Sequence, residues 1–412
     1  LYTLETTTGG DSLSTRFGMR EFRFDTATRR AYLNGKVYFL RGSNITLHRF
    51  FEDPQTGALP WNEQWVRRLL VDIPKRMHWN SFRFCIGPVP DRWLQIADEA
   101  GLLIQNEFFI WGYHPEWDTA EVITQFQEWM RDNWNHPSVA IWDASNETAS
   151  DLLRDTVIPA VRKLDLSNRP WDNGYSLPSG PDDPVEDHPY LFSRPFRIPD
   201  LETMAHFRQS ASPHPTAHAS ILNEYDWLWL NRDGTPTLLT QEVYDRLLGP
   251  DATSAQRLEM NAYLLAGLTE FWRARRYHAA ILHFVYLTAS FPGVYTSDHF
   301  RNLQALELEP HFEDYVGQAF RPLGVYLNFW RESLPAGSEQ RFAVVVTNDA
   351  PEPARGKLEV SLGDARAVVA FEVPSLGQQT YLVPLRIPAA TGEHLLEATA
   401  ARTRSRRRVT IT

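Results

Sequence analysis

From Val37 to Leu287 the chain switches repeatedly between two hydrophobic periods, and that alternation limits its fold more than any other feature. Val66, Leu69, Leu70, Ile73 and Met77 recur at helical spacing before Ser81–Ile86, which reads as a strand. A helix through Trp93, Leu94 and Ala97, capped by Asp91 and ended by Gly101, leads into a strand from Leu102 to Trp111. Helices over Val122–Trp134 and Leu152–Leu164 precede strands at Ser138–Trp142 and Arg169–Trp171. Strands near His188–Phe192 and at Ser220–Tyr225, a long helix near Ala255–Arg275 and a strand at Ala280–Leu287 follow. Counted from Val37–Leu40 these make eight strands, mostly with helical segments between them. That is the count for a (β/α)8 TIM barrel, an α/β fold of roughly 250 residues or more.

Beyond about Arg321 the texture changes to short strands: Phe342–Val346, Lys357–Leu362, Ala367–Val373, Tyr381–Ile387 and Leu395–Ala400, separated by Gly, Pro and Asn/Asp turns. This predicts an antiparallel, immunoglobulin-like β-sandwich. At the other end, Leu1–Thr6 alternates like the closing strand of a preceding β-domain, and Asn34-Gly35 marks a hairpin turn. The expected division is a linking segment over 1–30, a barrel over 31–320 and a sandwich over 321–412. The basic run Arg402–Arg408 reads as a solvated edge of the last strand.

Composition narrows the function. A formal charge of −10, from 51 acidic and 41 basic side chains with no Lys/Arg stripe, argues against nucleic acid as a partner. A single cysteine, Cys85, excludes a disulfide framework and a multi-cysteine zinc site. The thirteen His, with His206, His214 and His218 among them, form no HExxH or Cys/His grouping, so no metal is expected. No glycine-rich loop joins a strand to a helix, so no nucleotide cofactor is expected either. No run approaches the roughly 20 apolar residues of a membrane span. Periplasmic, extracellular and cytoplasmic placements stay open, as does a homo-oligomer. Fourteen Trp is an excess. Trp65, Trp93 and Trp129 suit core packing on helices, whereas others are free to stack on the C–H faces of sugars.

In a TIM barrel the reactive groups sit at the C-terminal ends of the strands. That rule selects Arg83 on strand 2, Asn106-Glu107 on strand 3, Asp143 to Glu147 on strand 4 and Asn223-Glu224 on strand 7. A carboxyl pair there suits glycoside hydrolysis, in which one group protonates the leaving oxygen and the other attacks or activates water. On position alone, a Glu after an apolar run is as readily a helix cap or a salt-bridge partner.

The segment from Asn135-His136-Pro137-Ser138-Val139 through Trp142 to Asn146-Glu147 resembles the NHPSV-x-x-W-x-x-x-NE signature of glycoside hydrolase family 2. That family includes β-galactosidases, β-glucuronidases and β-mannosidases. Arg16–Phe22 is similar to its FGFR junction, and Leu33–Lys36 with Leu40–Asn44 to its LNGK…LRG-x-N strand. Met77–Arg83 is similar to M-x-x-N-x-x-R, and Asp98–Leu102 with Glu107 to D-E-x-G-[IL]…E. These motifs run in the family's order over about 16–300. The resemblance implies a retaining, exo-acting β-glycosidase with a carbohydrate substrate. Glu147 would be the general acid/base, Asn146 would bind the sugar 2-hydroxyl, and Glu224 would be the nucleophile. Arg83 and Tyr190, the latter in His188-Pro189-Tyr190, would hold Glu224, with the two carboxyls roughly 5–5.5 Å apart.

The chain also departs from the family. Ser145 stands where Gly is usual and Asp143 where Ser is common, and Leu282–Leu287 on strand 8 lacks the Trp that floors the sugar site. Trp227 and Trp229 after the nucleophile, or Trp111 and Trp117 after strand 3, are candidates to replace it. Glu107 either contacts substrate or supports Arg83, and His188 either binds substrate or braces the strand-6 turn. Asn44 and His48 either line the pocket or are merely solvated, and Asp143 and Asp172 are as readily supports as sugar contacts. Arg194 and Arg197 are the arginines offered to a uronic acid, with plain surface exposure the more ordinary reading. Two alternatives remain: an endo-acting retaining hydrolase with an open groove, and a carbohydrate-binding barrel without catalysis. A blind pocket favours the exo reading, and a carboxyl separation beyond the retaining range would favour the last.

Overall fold

The computed structural model describes the chain except for residues 113, 206 and 208–216, so His206 and His214 lie outside the described residues. Eight parallel strands form one sheet: β1 (Leu40–Ile45), β2 (Ser81–Phe84), β3 (Leu103–Glu107), β4 (Val139–Asp143), β5 (Trp171–Asp172), β6 (Val185–Asp187), β7 (Ser220–Leu222) and β8 (Ala280–Leu287). Their order is β5-β4-β3-β2-β1-β8-β7-β6, so the β8–β1 ladder curls the sheet into a nearly closed barrel. Gly42 is required where β1 lies against β2, because a Cβ there would sit 1.8 Å from the Ser81 carbonyl oxygen.

Strand 1 begins later than Val37. Lys36–Tyr38 instead completes an antiparallel sheet with Phe22–Asp25 and Arg30–Leu33, turned by Asn34 (φ 50°) and Gly35 (φ 74°). Phe22, Phe24 and Ala31 of that sheet bury against Leu40, Leu103 and Ala280 and cap the N-terminal floor of the barrel. Strand 6 ends at Asp187, before the expected His188–Phe192, because Pro189 has no N–H to give a ladder. His188 and Tyr190 therefore sit just beyond its C-terminal end. Strand 3 likewise ends at Glu107, short of Trp111.

Of the two helix caps expected in the sequence, Gly101 holds; Asp118 and Thr253 cap helices without having been singled out. Gly101 (φ 73°) ends Asp91–Ala100, Asp118 caps Thr119–Asn133, and a Thr253/Gln256 capping box opens Ser254–Arg275. Asp91 does not cap. It is the first helical residue, and its carboxylate meets His136 Nε2 at 2.8 Å. The helix expected over Leu152–Leu164 is a π-turn, Leu153–Val157, followed by Ile158–Arg162, since Pro159 cannot supply the N–H of a continuous α-helix. No described helix is long and apolar enough to cross a membrane.

Two further sheets follow, antiparallel except where Ser333–Leu334 runs parallel to Thr403–Ile411. Leu323–Leu327, Glu339–Asn348 and Gln378–Arg386 form one, and Ser333–Leu334, Thr403–Ile411, Gly392–Ala400, Ala354–Leu362 and Ala365–Val373 form the other. Val344, Val346, Leu358, Val360 and Leu396 fill a separate apolar core between them. The basic run is not a solvated edge. Arg407 is buried, donates to Glu270 Oε2 at 3.0 Å and covers the Trp330 ring at 4.0 Å. Arg406 lies 3.6 Å over the Tyr315 ring and pairs with Asp314 at 2.7 Å. The run is a seam that fastens Thr403–Ile411 to the helices Ser254–Arg275 and Pro310–Ala319. At the N-terminal edge Leu1–Thr6 pairs as an exposed hairpin, Tyr2–Thr8 with Asp11–Phe17.

Candidate active site

The ends of β1, β2, β3, β4, β6, β7 and β8 enclose a cavity of about 410 Å³, and Glu147 and Glu224 both face it. Glu147 follows Asn146, which bridges to Trp111, and takes a left-handed conformation (φ 45°). Such conformations cost a non-glycine residue on the order of 1 kcal/mol and persist where the surroundings enforce them. Glu224 stands just past β7. One carboxylate oxygen from each Glu and a ring nitrogen of His188 all lie within 4.8 Å of one another. Retaining pairs are spaced at roughly 5–5.5 Å, whereas inverting pairs need roughly 6.5–9.5 Å to admit water between them.

Glu224 is held from below. Arg83 Nη1 donates to its Oε1 at 2.6 Å, and the Tyr190 hydroxyl donates to Oε2. Arg83 is wholly buried and spreads its remaining donors over Asp143 (Nε, 3.0 Å), Asn146 (Nη2, 2.9 Å) and Glu107. So many carboxyls cannot all ionise around one guanidinium. Burial, reinforced by Asp143 and Glu186, raises Glu107 well above the usual carboxylate range. Asp172 is raised in the same way by burial and by Glu186 and Asp143.

Glu147 is held from the side. His188 Nδ1 lies 2.8 Å from its Oε1, and the Tyr175 hydroxyl donates to the same oxygen at 2.9 Å. Burial alone would raise its pKa, but the hydrogen bond and charge of His188, with Tyr175, outweigh it and bring Glu147 to about 2. Burial likewise opposes a charge on His188, yet Glu224, Glu186 and Glu147 raise it well above an ordinary imidazole. These directions favour an ionised Glu147 beside an imidazolium.

Of the residues singled out in the sequence, Asn146, Tyr190, Trp227 and Trp111 line the cavity with the two Glu. Arg83, Glu107, His188 and Asn44 are fully buried beneath it. Glu107 supports Arg83, and Asn44 Nδ2 ties β1 to β7 and β8 through the carbonyls of Asn223 (2.7 Å) and His283 (3.0 Å). Asp143 and Asp172 lie in the same buried layer. His48 does line the cavity, where burial lowers it to about 4. Trp117, Arg194 and Arg197 do not line it, and the Arg197 side chain is 81% exposed. The wall left without a strand-8 Trp is made by Phe284, backed by Trp229, whose Nε1 donates to the Phe284 carbonyl at 2.7 Å.

Sequence reasoning missed Tyr175, Glu186 and Arg49. Tyr175 belongs to a loop and Arg49 to the one-turn helix Leu47–Phe50, neither long enough to carry a hydrophobic period, so only their spatial neighbours reveal them. Glu186 had a signal, an acidic residue on a buried barrel strand. Arg49 donates to Thr296 Oγ1 at 3.0 Å, sits between the rings of Trp111 (5.6 Å) and Phe284 (5.9 Å), and has no ion pair among the described residues.

A closely spaced carboxyl pair at the C-terminal mouth of a TIM barrel is the arrangement that retaining glycoside hydrolysis uses. Residues 26–172 match the family described as glycosyl hydrolases family 2, TIM barrel domain. That match runs from the capping sheet through β5. A β-galactosidase of Photobacterium profundum is 31% identical over 145 residues, which is 33% of this chain and 13% of the relative. Among solved structures, the exo-chitosanase CsxA of Amycolatopsis orientalis superposes with a TM-score of 0.69 at 15% identity, covering 99% of this chain and 53% of that one. A β-D-mannosidase from Dictyoglomus thermophilum gives a TM-score of 0.66 at 14% identity, covering 97% of this chain and 54% of that one. The chain thus spans about half the length of these two structures.

Proposed function

We propose that this chain is the catalytic part of a retaining, exo-acting β-glycosidase. The observation that carries the reading is the approach of the Glu147 and Glu224 carboxylates to within 4.8 Å inside one cavity. In the first displacement Glu224 attacks the anomeric carbon while the glycosidic C–O bond breaks, and the leaving oxygen takes a proton from Glu147. In the second, Glu147 takes a proton from water, the water oxygen attacks the anomeric carbon, and Glu224 is released as carboxylate. Arg83 and Tyr190 give Glu224 its donors, and Asn146, at the cavity wall, is available to the sugar 2-hydroxyl.

A cavity walled by strand ends on nearly every side favours removal of a terminal sugar over cleavage within a polysaccharide. Trp111, Trp227 and Phe284 offer the flat faces on which a ring can lie. The same reading takes 31–320 as the catalytic barrel and 321–412 as the sandwich; the separate apolar cores support it. A panel of aryl β-glycosides, followed by proton NMR of the first anomer formed, tests the proposal. Release of the β-anomer is expected, and initial release of the α-anomer would refute retention.

A further inference from the structure

We propose that Glu186 and His188 form a buried proton-holding dyad for Glu147, so that the proton given to the leaving group is stored on His188 between turnovers. The proposal rests on the reading of Glu147 as acid/base. That reading leaves a gap, because an ionised carboxylate cannot protonate a leaving oxygen. The nearest group able to hold that proton is His188, whose Nδ1 lies 2.8 Å from Glu147 Oε1. His188 Nε2 faces Glu186 Oε2 at 3.0 Å, and both residues are fully buried. Glu186 is fixed in turn by Asn223 Nδ2 at 2.8 Å and lies 3.8 Å from Arg83.

The other titratable groups facing His188 are Glu224, 3.6 Å from Nδ1, and the Tyr175 hydroxyl at 3.3 Å. Facing Glu186 from neighbouring strands are Asp143 and Asp172, both pushed toward the neutral form, first by burial. The imidazolium thus has carboxylates at both ring nitrogens: Glu147 and Glu224, which open on the cavity, at Nδ1, and the buried Glu186 at Nε2.

The proton balance closes without another reactant. When substrate displaces water from Glu147, the Nδ1 proton passes to Oε1 and on to the glycosidic oxygen as its C–O bond breaks, leaving His188 neutral and Glu147 ionised. In the second displacement the attacking water loses a proton to Glu147, which returns it to Nδ1. Glu186 stays ionised throughout and keeps Nε2–H pointed away from the cavity. It never touches substrate, and so it acts as a positioning residue.

The test is Glu186→Gln, whose amide oxygen can still accept from Nε2–H but carries no charge. His188 then binds its proton less tightly, and the basic limb of kcat/KM for a phenyl β-glycoside should move to lower pH by about one unit or more. A dinitrophenyl glycoside, whose leaving group needs no proton, should keep its wild-type first-step rate. An unmoved basic limb, or equal losses on both substrates, overturns the dyad. Nitrogen NMR of His188 in the unmodified protein needs no variant: both ring nitrogens should be protonated at neutral pH, and a neutral ring overturns the proposal. Glu147→Ala with added azide separates the two levels. If azide restores turnover as a β-glycosyl azide while Glu186→Gln changes nothing, the acid/base reading stands and the dyad falls. If Glu147→Ala keeps full activity, both fall.

Discussion

Replacing Arg83 by lysine keeps a positive charge beneath Glu224 but removes the fork that distributes it. The guanidinium reaches five side chains at once: Asp143 through Nε, Glu224 and Asn44 through Nη1, and Asn146 and Glu107 through Nη2. An ammonium concentrates its donors at one point and cannot serve three edges of a fork. At least two charge-assisted hydrogen bonds are lost, at about 1.5–3 kcal/mol each, for a total of roughly 3–6 kcal/mol. Breaking a buried ionic network, at about 3–5 kcal/mol, gives an independent figure in the same range. Loss of the Nη1 donor to Glu224 alone corresponds to about a 10- to 150-fold fall in kcat/KM. Urea unfolding followed by Trp fluorescence, and hydrolysis of whichever aryl glycoside the wild type cleaves, measure the two effects. If Arg83→Lys keeps wild-type stability and rate, Arg83 does not anchor the site.

Three further outcomes follow from named contacts. Arg407→Ala leaves Glu270 buried without its cation and should cost about 3–5 kcal/mol, seen in calorimetry as earlier unfolding that separates the sandwich from the barrel. Arg49→Ala should lower kcat/KM for uronides and other anionic β-glycosides by at least about tenfold, one charge-assisted hydrogen bond, with little change on neutral ones; an equal loss on both would assign Arg49 to packing. Burial pushes Asp349 up, but Arg276, Arg273 and Arg41 hold it far below the usual carboxylate range. The stability from that pairing is complete above the unfolded pKa of about 3.9 and is lost as pH falls below it. Asp349→Asn should therefore be less stable at neutral pH and show a flatter decline between about pH 4 and 2 in urea titrations.

The barrel was legible because its strands are continuous apolar runs, its helices carry a helical hydrophobic period, and Gly101 gives a local stop signal. Its floor was not. Val37 and Leu40 look alike in pattern, and only the pairing partner separates a capping strand from a barrel strand. The charge run Arg402–Arg408 misled for a related reason: a cation stacked on Trp330 or Tyr315 has the same sequence as a solvated one. At the site, Glu147 and Glu224 stood out as polar ends of apolar strands, and their family motifs fixed attention on them. Whether Glu107, His188 and Asn44 touched substrate could not be read, because depth below the cavity depends on loops contributed by distant strands. The missing strand-8 Trp had the same root. Its wall is rebuilt from Phe284 and Trp229, which are 55 residues apart in the chain and meet through one hydrogen bond.

The central claim is that Glu224 attacks the sugar and carries it covalently. A fluorosugar matched to the preferred glycoside slows release of that adduct, and peptide mass spectrometry of the inactivated protein locates it. The account predicts a single glycosyl adduct on the peptide containing Asn223-Glu224-Tyr225, at Glu224 and absent in Glu224→Ala. An adduct on Glu147 or on any other residue would contradict it.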